Sequence, residues 1–236
     1  MKTALFDLDG TLLGFDIATF FPPYLEALSR HVAALLAPAE LARRMEEGLA
    51  ALAAPGDGRR SNAARFEERF YRGLPAALEG ELRRAFDRFY REVFPSLARF
   101  SQRWPEARQV LEAALAAGWR LAVATDPVFP EAAVRERLRW AGVDDLPFSL
   151  VTTLENMHDV KPHPGYYREV LELLGARPEE CWMFGNDMRQ DMAAGELGIH
   201  TFFVRRLPRN LERRRPVERE GDLGEVLRFF LDGKAA

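Results

Sequence analysis

The sequence predicts an α/β fold in which a parallel sheet is covered by helices on both faces and an all-helical segment is inserted after the first strand. Three observations predict it. From about Ser101 onward short apolar runs alternate with helical patterns, before that point four helical patterns follow one another with no strand between them, and each apolar run stops at a polar loop.

Taken in order, Ala4-Leu5-Phe6 is a short apolar run ending at Asp7-Leu8-Asp9-Gly10-Thr11, the pattern of a buried strand that stops at a polar turn. Phe20, Tyr24, Leu28, Val32 and Leu35 then recur at helical spacing, as do Leu41, Met45, Leu49 and Leu52. Phe66 and Phe70 mark a third helix, and Leu82, Phe86, Phe89, Tyr90, Val93 and Phe94 a fourth. Breaks fall at Ala54-Pro55-Gly56-Asp57-Gly58 and at Leu74-Pro75, where turn residues gather. A helix with Trp104, Ala107, Leu111 and Leu115 inward stops at Gly118, and Trp119 to Ala124 forms a strand ending at Thr125-Asp126-Pro127. A helix carrying Val134 and Leu138 ends at Ala141-Gly142, and Phe148 to Val151 is the next strand. Lys161-Pro162-His163-Pro164 opens a helix with Tyr167, Val170, Leu171 and Leu174 on one face. The strand Cys181 to Phe184 ends at Gly185-Asn186-Asp187, a helix surrounds Met192 and Leu197, Thr201 to Val204 is a strand, and Leu223 to Leu231 is a final helix. Such alternation implies right-handed crossovers and a parallel sheet. The chain therefore divides into a core of residues 1–14 and 101–236 and a helical insertion of residues 15–100.

Composition narrows the function classes. With 236 residues, 47% of them hydrophobic and 29% charged, the chain has the make-up of a folded globular protein. Its 33 basic and 36 acidic residues leave a net charge of −3, too balanced for electrostatics alone to nominate nucleic acid or an anionic membrane as partner. The single cysteine, Cys181, excludes an intramolecular disulfide and lies in the apolar run Cys181-Trp182-Met183-Phe184, as a core thiol would. An acid at Asp7 interrupts any signal-peptide pattern, and no segment supplies the roughly 18 apolar residues of a spanning helix, so the expected location is cytoplasmic, with no membrane partner. The arginine-rich run from Arg205 to Arg219 has no interleaved aromatic residues for base stacking and reads as a solvated loop; no nucleic acid is expected.

In a parallel sheet the carboxyl ends of the strands share one rim, and ligands bind there. Four strand ends deliver polar residues to it: Asp7 and Asp9, then Thr125, then the Lys161 loop, then Asn186, Asp187 and Asp191. A lone strand-end Asp is usually a cap or turn former, but four converging ends point to a site. Carboxylates this close repel one another, which favours protonation of one or a bound cation. Oxygen donors without a His/Cys cluster suit a hard ion, Mg²⁺, and Mg²⁺ implies phosphate. The Thr125 hydroxyl, the Lys161 ammonium and loop amides would surround a phosphoryl group, while one carboxylate attacks phosphorus and the other moves protons.

These residues resemble a known family. Asp7-Leu8-Asp9-Gly10-Thr11-Leu12, Thr125, Lys161-Pro162 and Gly185-Asn186-Asp187 with Asp191 are similar to the four ordered motifs of the haloacid dehalogenase-like hydrolase superfamily, over nearly the whole chain. The resemblance implies a Rossmann-like core with a helical cap inserted after the first strand. It implies that Asp7 is the nucleophile and a Mg²⁺ ligand, and that Asp9 is the general acid/base, binding the metal through its backbone carbonyl. By the same resemblance Thr125 holds a phosphoryl oxygen with the amides of Leu8 and Asp126, and Lys161 neutralises charge between nucleophile and phosphate. The fourth motif departs from the family pattern, which has an acid directly after the glycine. Asp187 is the preferred metal ligand here because an anionic oxygen holds Mg²⁺ better than an amide, with Asn186 able to reach the ion through its carbonyl oxygen. Asp191 either joins the cation's surroundings or orients Lys161. The implied reaction is Mg²⁺-dependent hydrolysis of a small phosphorylated metabolite through an aspartyl-phosphate.

Two other functions are weighed against it. A 2-haloacid dehalogenase uses an aspartate against carbon, needs no Mg²⁺ and generally lacks the second acid of the first motif, whereas Asp9 is present. A non-catalytic protein that binds a phosphorylated ligand or nucleic acid would use the arginine-rich run as its contact. Smaller expectations concern His158 and His163, read as loop residues rather than bases, and Phe15, Asp16, Phe20 and Phe21, which either face the substrate or pack the helical insertion. The connections near Leu13 to Asp16 and Phe94 to Ser101, with Gly14 and Pro95, are expected to form a paired hinge.

Overall fold

A computed structural model describes residues 1–212 and 214–233. The chain runs β1 (Thr3–Phe6), β2 (Leu13–Gly14), α1 (Ile17–Val32), α2 (Pro38–Leu52), α3 (Asn62–Phe70), α4 (Ala76–Arg88), β3 (Gln102–Arg103) and α5 (Pro105–Ala116). It continues through β4 (Arg120–Val123), α6 (Glu131–Ala141), β5 (Phe148–Val151), α7 (Pro164–Leu174), β6 (Cys181–Gly185), β7 (His200–Val204), β8 (Arg219–Gly221) and α8 (Leu223–Leu231).

Six strands form one sheet in the order β5-β4-β1-β6-β7-β8, with every pairing parallel. Side chains alternate across it. Ala4 and Phe6 of β1 face a cluster with Val123, Phe184 and residues of α5, α6 and α8, while Leu5 faces Ala122, Met183, Cys181 and the tyrosines of α7. Both faces are covered, which makes this a Rossmann-like α/β core. From β1 the chain builds outward to β4 and β5, then returns to lay β6, β7 and β8 on the other flank. The carboxyl ends of β4, β1 and β6 therefore meet where the strand order reverses, the place such sheets leave a crevice.

The expected strands and the last helix all form. Two details differ. The fourth helical stripe does not continue as one α-helix to Phe94; α4 ends at Arg88 and passes through a π-helical turn (Phe89–Val93) into a 3₁₀ segment (Phe94–Phe100). Pro95 has no N–H for the next helical hydrogen bond, and the ladder loosens ahead of it. The region around Met192 is a 3₁₀ turn (Asp191–Leu197) rather than an α-helix.

The sequence reading also misses β8, the edge strand of the sheet, and a two-stranded ribbon. β2 and β3 pair antiparallel, Leu13 with Arg103 and Gly14 with Gln102, at the base of the four helices. Gly14 is required there: a Cβ would lie 2.7 Å from the Gln102 carbonyl and 2.9 Å from the Trp104 ring. The helical segment meets α6 and the loop before it through aromatic contacts. Phe94 stacks on Trp140 at 5.1 Å between centroids, and Tyr24 meets Phe129 edge-on at 5.7 Å. Among the described residues no helix is long and apolar enough to cross a membrane.

Candidate active site

β1 is a buried strand whose ladder runs one residue past its end: the Asp7 amide donates to the Phe184 carbonyl at 2.9 Å. That bond brings Asp7 to the rim with its carboxylate buried. The chain then turns back at once, the amides of Leu12 and Leu13 donating to the Leu8 carbonyl at 3.0 and 2.9 Å. Gly10 makes the turn with φ +86°, and a Cβ there would lie 2.3 Å from the Asn186 side-chain nitrogen. The first and fourth motifs thus touch through a glycine.

Lys161 reaches into this corner from the loop before α7. Its ammonium donates to Asp7 Oδ1 at 3.0 Å and to Asp191 Oδ1 at 2.6 Å, with its side chain 1% exposed. Its amide donates to Asp126 Oδ1 at 3.1 Å, tying the loop to the end of β4. Thr125 is buried beside it, and its carbonyl accepts from the Thr152 hydroxyl at 2.7 Å and the Tyr166 hydroxyl at 3.0 Å. Those two hydroxyls fix the backbone that presents Thr125 and Asp126. Neither was singled out in the sequence, because a Thr and a Tyr inside apolar patterns carry no signal of a tertiary partner.

Burial opposes the charge on Lys161, but Asp191 and Asp7 outweigh it and hold its pKa well above the ordinary value. The carboxylates show the opposite strain. Burial, with the charge of Asp7 beside it, pushes Asp191 up to about 7; burial pushes Asp126 up to about 6. Asp9 is likewise raised to about 6 by burial, against the pull of Arg137. One ammonium does not balance this many acids, and a cation at the rim would relieve them.

Asn186 and Asp187, adjacent in sequence, do different work. The Thr11 hydroxyl lies 3.3 Å from Asp7 Oδ2 and 3.2 Å from Asn186 Oδ1, so the amide oxygen of Asn186 stands beside the Asp7 carboxylate. The amide nitrogen of Asn186 donates to the Leu207 carbonyl, and since a carbonyl only accepts, this contact fixes which way the amide points. Asp187, the ligand preferred from sequence, has its carboxylate engaged by its own loop and by Asn210. Its Oδ1 accepts from the amides of Arg189 and Gln190 at 2.9 Å each, and its Oδ2 from the Asn210 side chain at 2.6 Å. It shapes the loop, and Asp191 Oδ2 holds the Asp187 amide at 2.8 Å while its other oxygen orients Lys161. Among the described residues no three His, Cys, Asp or Glu side chains form a metal-binding group. A divalent ion here would draw on the Asp7 carboxylate, the Asp9 carbonyl and the Asn186 amide oxygen, an all-oxygen set that fits Mg²⁺ with waters retained.

Asp9 has a partner the sequence reading missed. Its Oδ2 pairs with Nη1 of Arg137, on α6, whose side chain is 0% exposed. An arginine on the same stripe as Val134, Leu138 and Ala141 was the available signal.

The remaining candidates lie elsewhere. His158 pairs with Glu169 at 2.5 Å and His163 with Asp159 at 2.7 Å rather than with the acids of the site. Asp16 caps α1, accepting from the Ala18 amide at 3.2 Å, and Phe20 is buried against Phe15, Tyr24, Phe94 and Trp140. Phe21 is partly buried against Tyr24 at 5.8 Å. In the arginine-rich run, Arg205 pairs with Glu225, Arg206 with Glu106 and Arg215 with Glu196. Arg213 lies outside the described residues. A cleft of about 790 Å³ opens between the helical segment and the core, bounded among others by Tyr24, Phe66, Tyr90, Val128 and Leu154.

Comparison with known proteins places the chain among related hydrolases. The family model described as haloacid dehalogenase-like hydrolase matches residues 1–197. A phosphoglycolate phosphatase of Nitrosospira multiformis is 29% identical over 211 residues, covering 86% of this chain and 83% of that protein. The pyrophosphatase PpaX of Bacillus cereus is 43% identical over 49 residues, 21% of this chain, so the match spans about a fifth (22%) of that relative's length. Among solved structures, a HAD phosphatase from Thermococcus onnurineus superposes with a TM-score of 0.58 at 26% identity, covering all of both chains (100% each). CbbY from Rhodobacter sphaeroides, in complex with phosphate, superposes with a TM-score of 0.57 at 24% identity over 96% of each chain. A match spanning more than four-fifths of the sequence, with the four motifs gathered at one sheet rim, shows that the chain belongs to the haloacid dehalogenase-like hydrolase family.

Proposed function

We propose that the protein is a Mg²⁺-dependent phosphomonoester hydrolase that works through an aspartyl-phosphate on Asp7. The observation that carries this reading is the Lys161 ammonium shared between Asp7 and Asp191. A buried cation lies against the nucleophile's carboxylate, and its charge lies where a phosphoryl group approaching Asp7 would bring negative oxygens.

In the first half-reaction an Asp7 carboxylate oxygen attacks phosphorus, the bond from phosphorus to the leaving oxygen breaks, and Asp9 gives that oxygen its proton. Water then attacks the aspartyl-phosphate, losing a proton to Asp9 as the Asp7–phosphorus bond breaks, and both side chains return to their starting state. Thr125 and the amides of Leu8 and Asp126 hold the phosphoryl oxygens. The Asp7 carboxylate, the Asp9 carbonyl and Asn186 Oδ1 would hold Mg²⁺, with Asp187 organising the loop beneath. When bound, Mg²⁺ neutralises the crowded carboxylates and draws charge from the phosphoryl group.

The helical segment of residues 15–100 acts in this reading as a cap over the core of residues 1–14 and 101–236, with the β2–β3 ribbon as its hinge. In this reading the leaving group lies under the helical segment, and the substrate is a small phosphorylated metabolite. Phosphoglycolate is the first ester to test, on the strength of the Nitrosospira multiformis relative. The proposed setting is the cytoplasm. Phosphate release from a panel of small phosphate esters with Mg²⁺ tests the reading. Asp7→Asn is expected to lower turnover at least about a thousandfold while far-UV circular dichroism stays unchanged; an active Asp7→Asn protein would sink the assignment.

A further inference from the structure

Arg137 is fully buried on a helix face otherwise made of Ala133, Val134, Leu138 and Ala141. A leucine would fill that position at less cost, because a buried guanidinium is tolerated only when paired and often adds nothing to stability even then. The position therefore calls for an explanation other than packing. The pairing is with Asp9 Oδ2 through Nη1, and Nε donates back to the Ala133 carbonyl at 3.3 Å. The guanidinium lies 4.5 Å from the ring centre of Phe129 and 5.5 Å from that of Phe15, so two aromatic rings pack beside it. Two buried atoms at this pair have no partner, Asp9 Oδ1 and Arg137 Nη2. An acceptor and a donor left open on one ion pair, when among the described residues only one other buried side-chain polar atom lacks a partner, mark a place where something else is meant to bind.

We infer that Arg137 is a positioning residue for Asp9. It ties down Oδ2 and so turns Oδ1 toward the reacting atoms as the single oxygen that exchanges protons. This inference rests on the hydrolase reading above. Oδ1 gives its proton to the leaving oxygen as that oxygen's bond to phosphorus breaks, and later takes the proton of the water whose oxygen bonds to phosphorus as the Asp7–phosphorus bond breaks. The ring of Phe15 ties the arrangement to the segment between β2 and α1, so the oxygen is aimed from the same place the helical segment joins the core.

The inference concerns proton transfer to the leaving group, so leaving groups test it. p-Nitrophenyl phosphate departs as a weakly basic anion that needs little protonation; phenyl phosphate departs as a far more basic one. Arg137→Met should lower kcat/KM for phenyl phosphate about tenfold more than for p-nitrophenyl phosphate, through kcat rather than KM. Arg137→Lys, which keeps a donor to Oδ2, should show the same pattern to a smaller degree. Placed on Asp9→Asn, Arg137→Met should add no further leaving-group dependence. Thermal melts establish that each variant is folded, and if Arg137→Met is not, Arg137→Lys decides alone. Equal losses on both esters, or losses confined to KM, would mean that Arg137 only supports the fold and would overturn the inference while leaving the hydrolase reading intact. A wild-type protein that releases phosphate from neither ester, nor from any of the metabolite panel, overturns both.

Discussion

The helical segment and the sheet core use the same charged groups in opposite ways. In the helices most pairs are local and at least partly exposed: Arg30 with Glu26, Arg43 with Glu40 and Glu47, Arg83 with Glu79, all one helical turn apart, with Arg44, buried where it meets Glu40, the exception among them. In the core, Lys161 meets Asp7 and Asp191, and Arg137 meets Asp9, across 30 to 154 residues of sequence and with the cation in each pair almost wholly buried. Exposed pairs gain little because water already solvates both partners and salt screens them. Buried pairs are held in one geometry, and removing one partner strands the other in low dielectric. The difference teaches where charge is spent on solubility and where on chemistry.

The largest effect should come from breaking the core network. Lys161→Met leaves Asp7 and Asp191 facing each other without their cation and should cost about 3–5 kcal/mol of stability, read by urea unfolding; a loss below 1 kcal/mol would show that the network relaxes freely. Phe94→Ala tests the uncharged contact between the two regions. Removing a ring buried against Phe20, Tyr24, Phe89 and Trp140 should also cost about 3–5 kcal/mol. A smaller, site-specific effect separates the two neighbours of the fourth motif. Asn186→Ala should weaken Mg²⁺ binding by about 10-fold in calorimetric titration, whereas Asn186→Asp should tighten it, since a charged oxygen replaces a neutral one. A larger loss from Asp187→Asn than from Asn186→Ala would return the ligand role to Asp187. The smallest effect is expected on the helical surface, where Arg30→Ala should change stability by less than about 0.5 kcal/mol.

Much of the core was legible because its signals are local. Each apolar run that became a strand is short, β-rich and closed by a polar turn, and the leucine and phenylalanine stripes of α1 to α4 repeat at helical spacing. The β2–β3 ribbon was not legible: two residues on each side are too few to show a period, and their pairing joins residues nearly ninety positions apart. Pro95 was visible, yet its consequence, a π turn followed by a 3₁₀ segment, depends on how the helix end packs.

At the site, the sequence by itself determined which strand ends carry Asp7, Asp9, Thr125, Lys161 and Asp191, because a strand that must bury its apolar residues has to end where its acids begin. It favoured Asp187 over Asn186 as a metal ligand and gave neither side chain an orientation. Those orientations depend on Thr11, Leu207 and Asn210, whose hydroxyl, carbonyl and amide hold the two side chains. Nor did it assign Arg137: its place on the apolar stripe of α6 was visible, but its partner Asp9 lies 128 residues away in sequence. Local patterning fixes where backbone goes and which face is buried; the orientation of a polar side chain is set by partners distant in sequence, and only the folded chain brings those together.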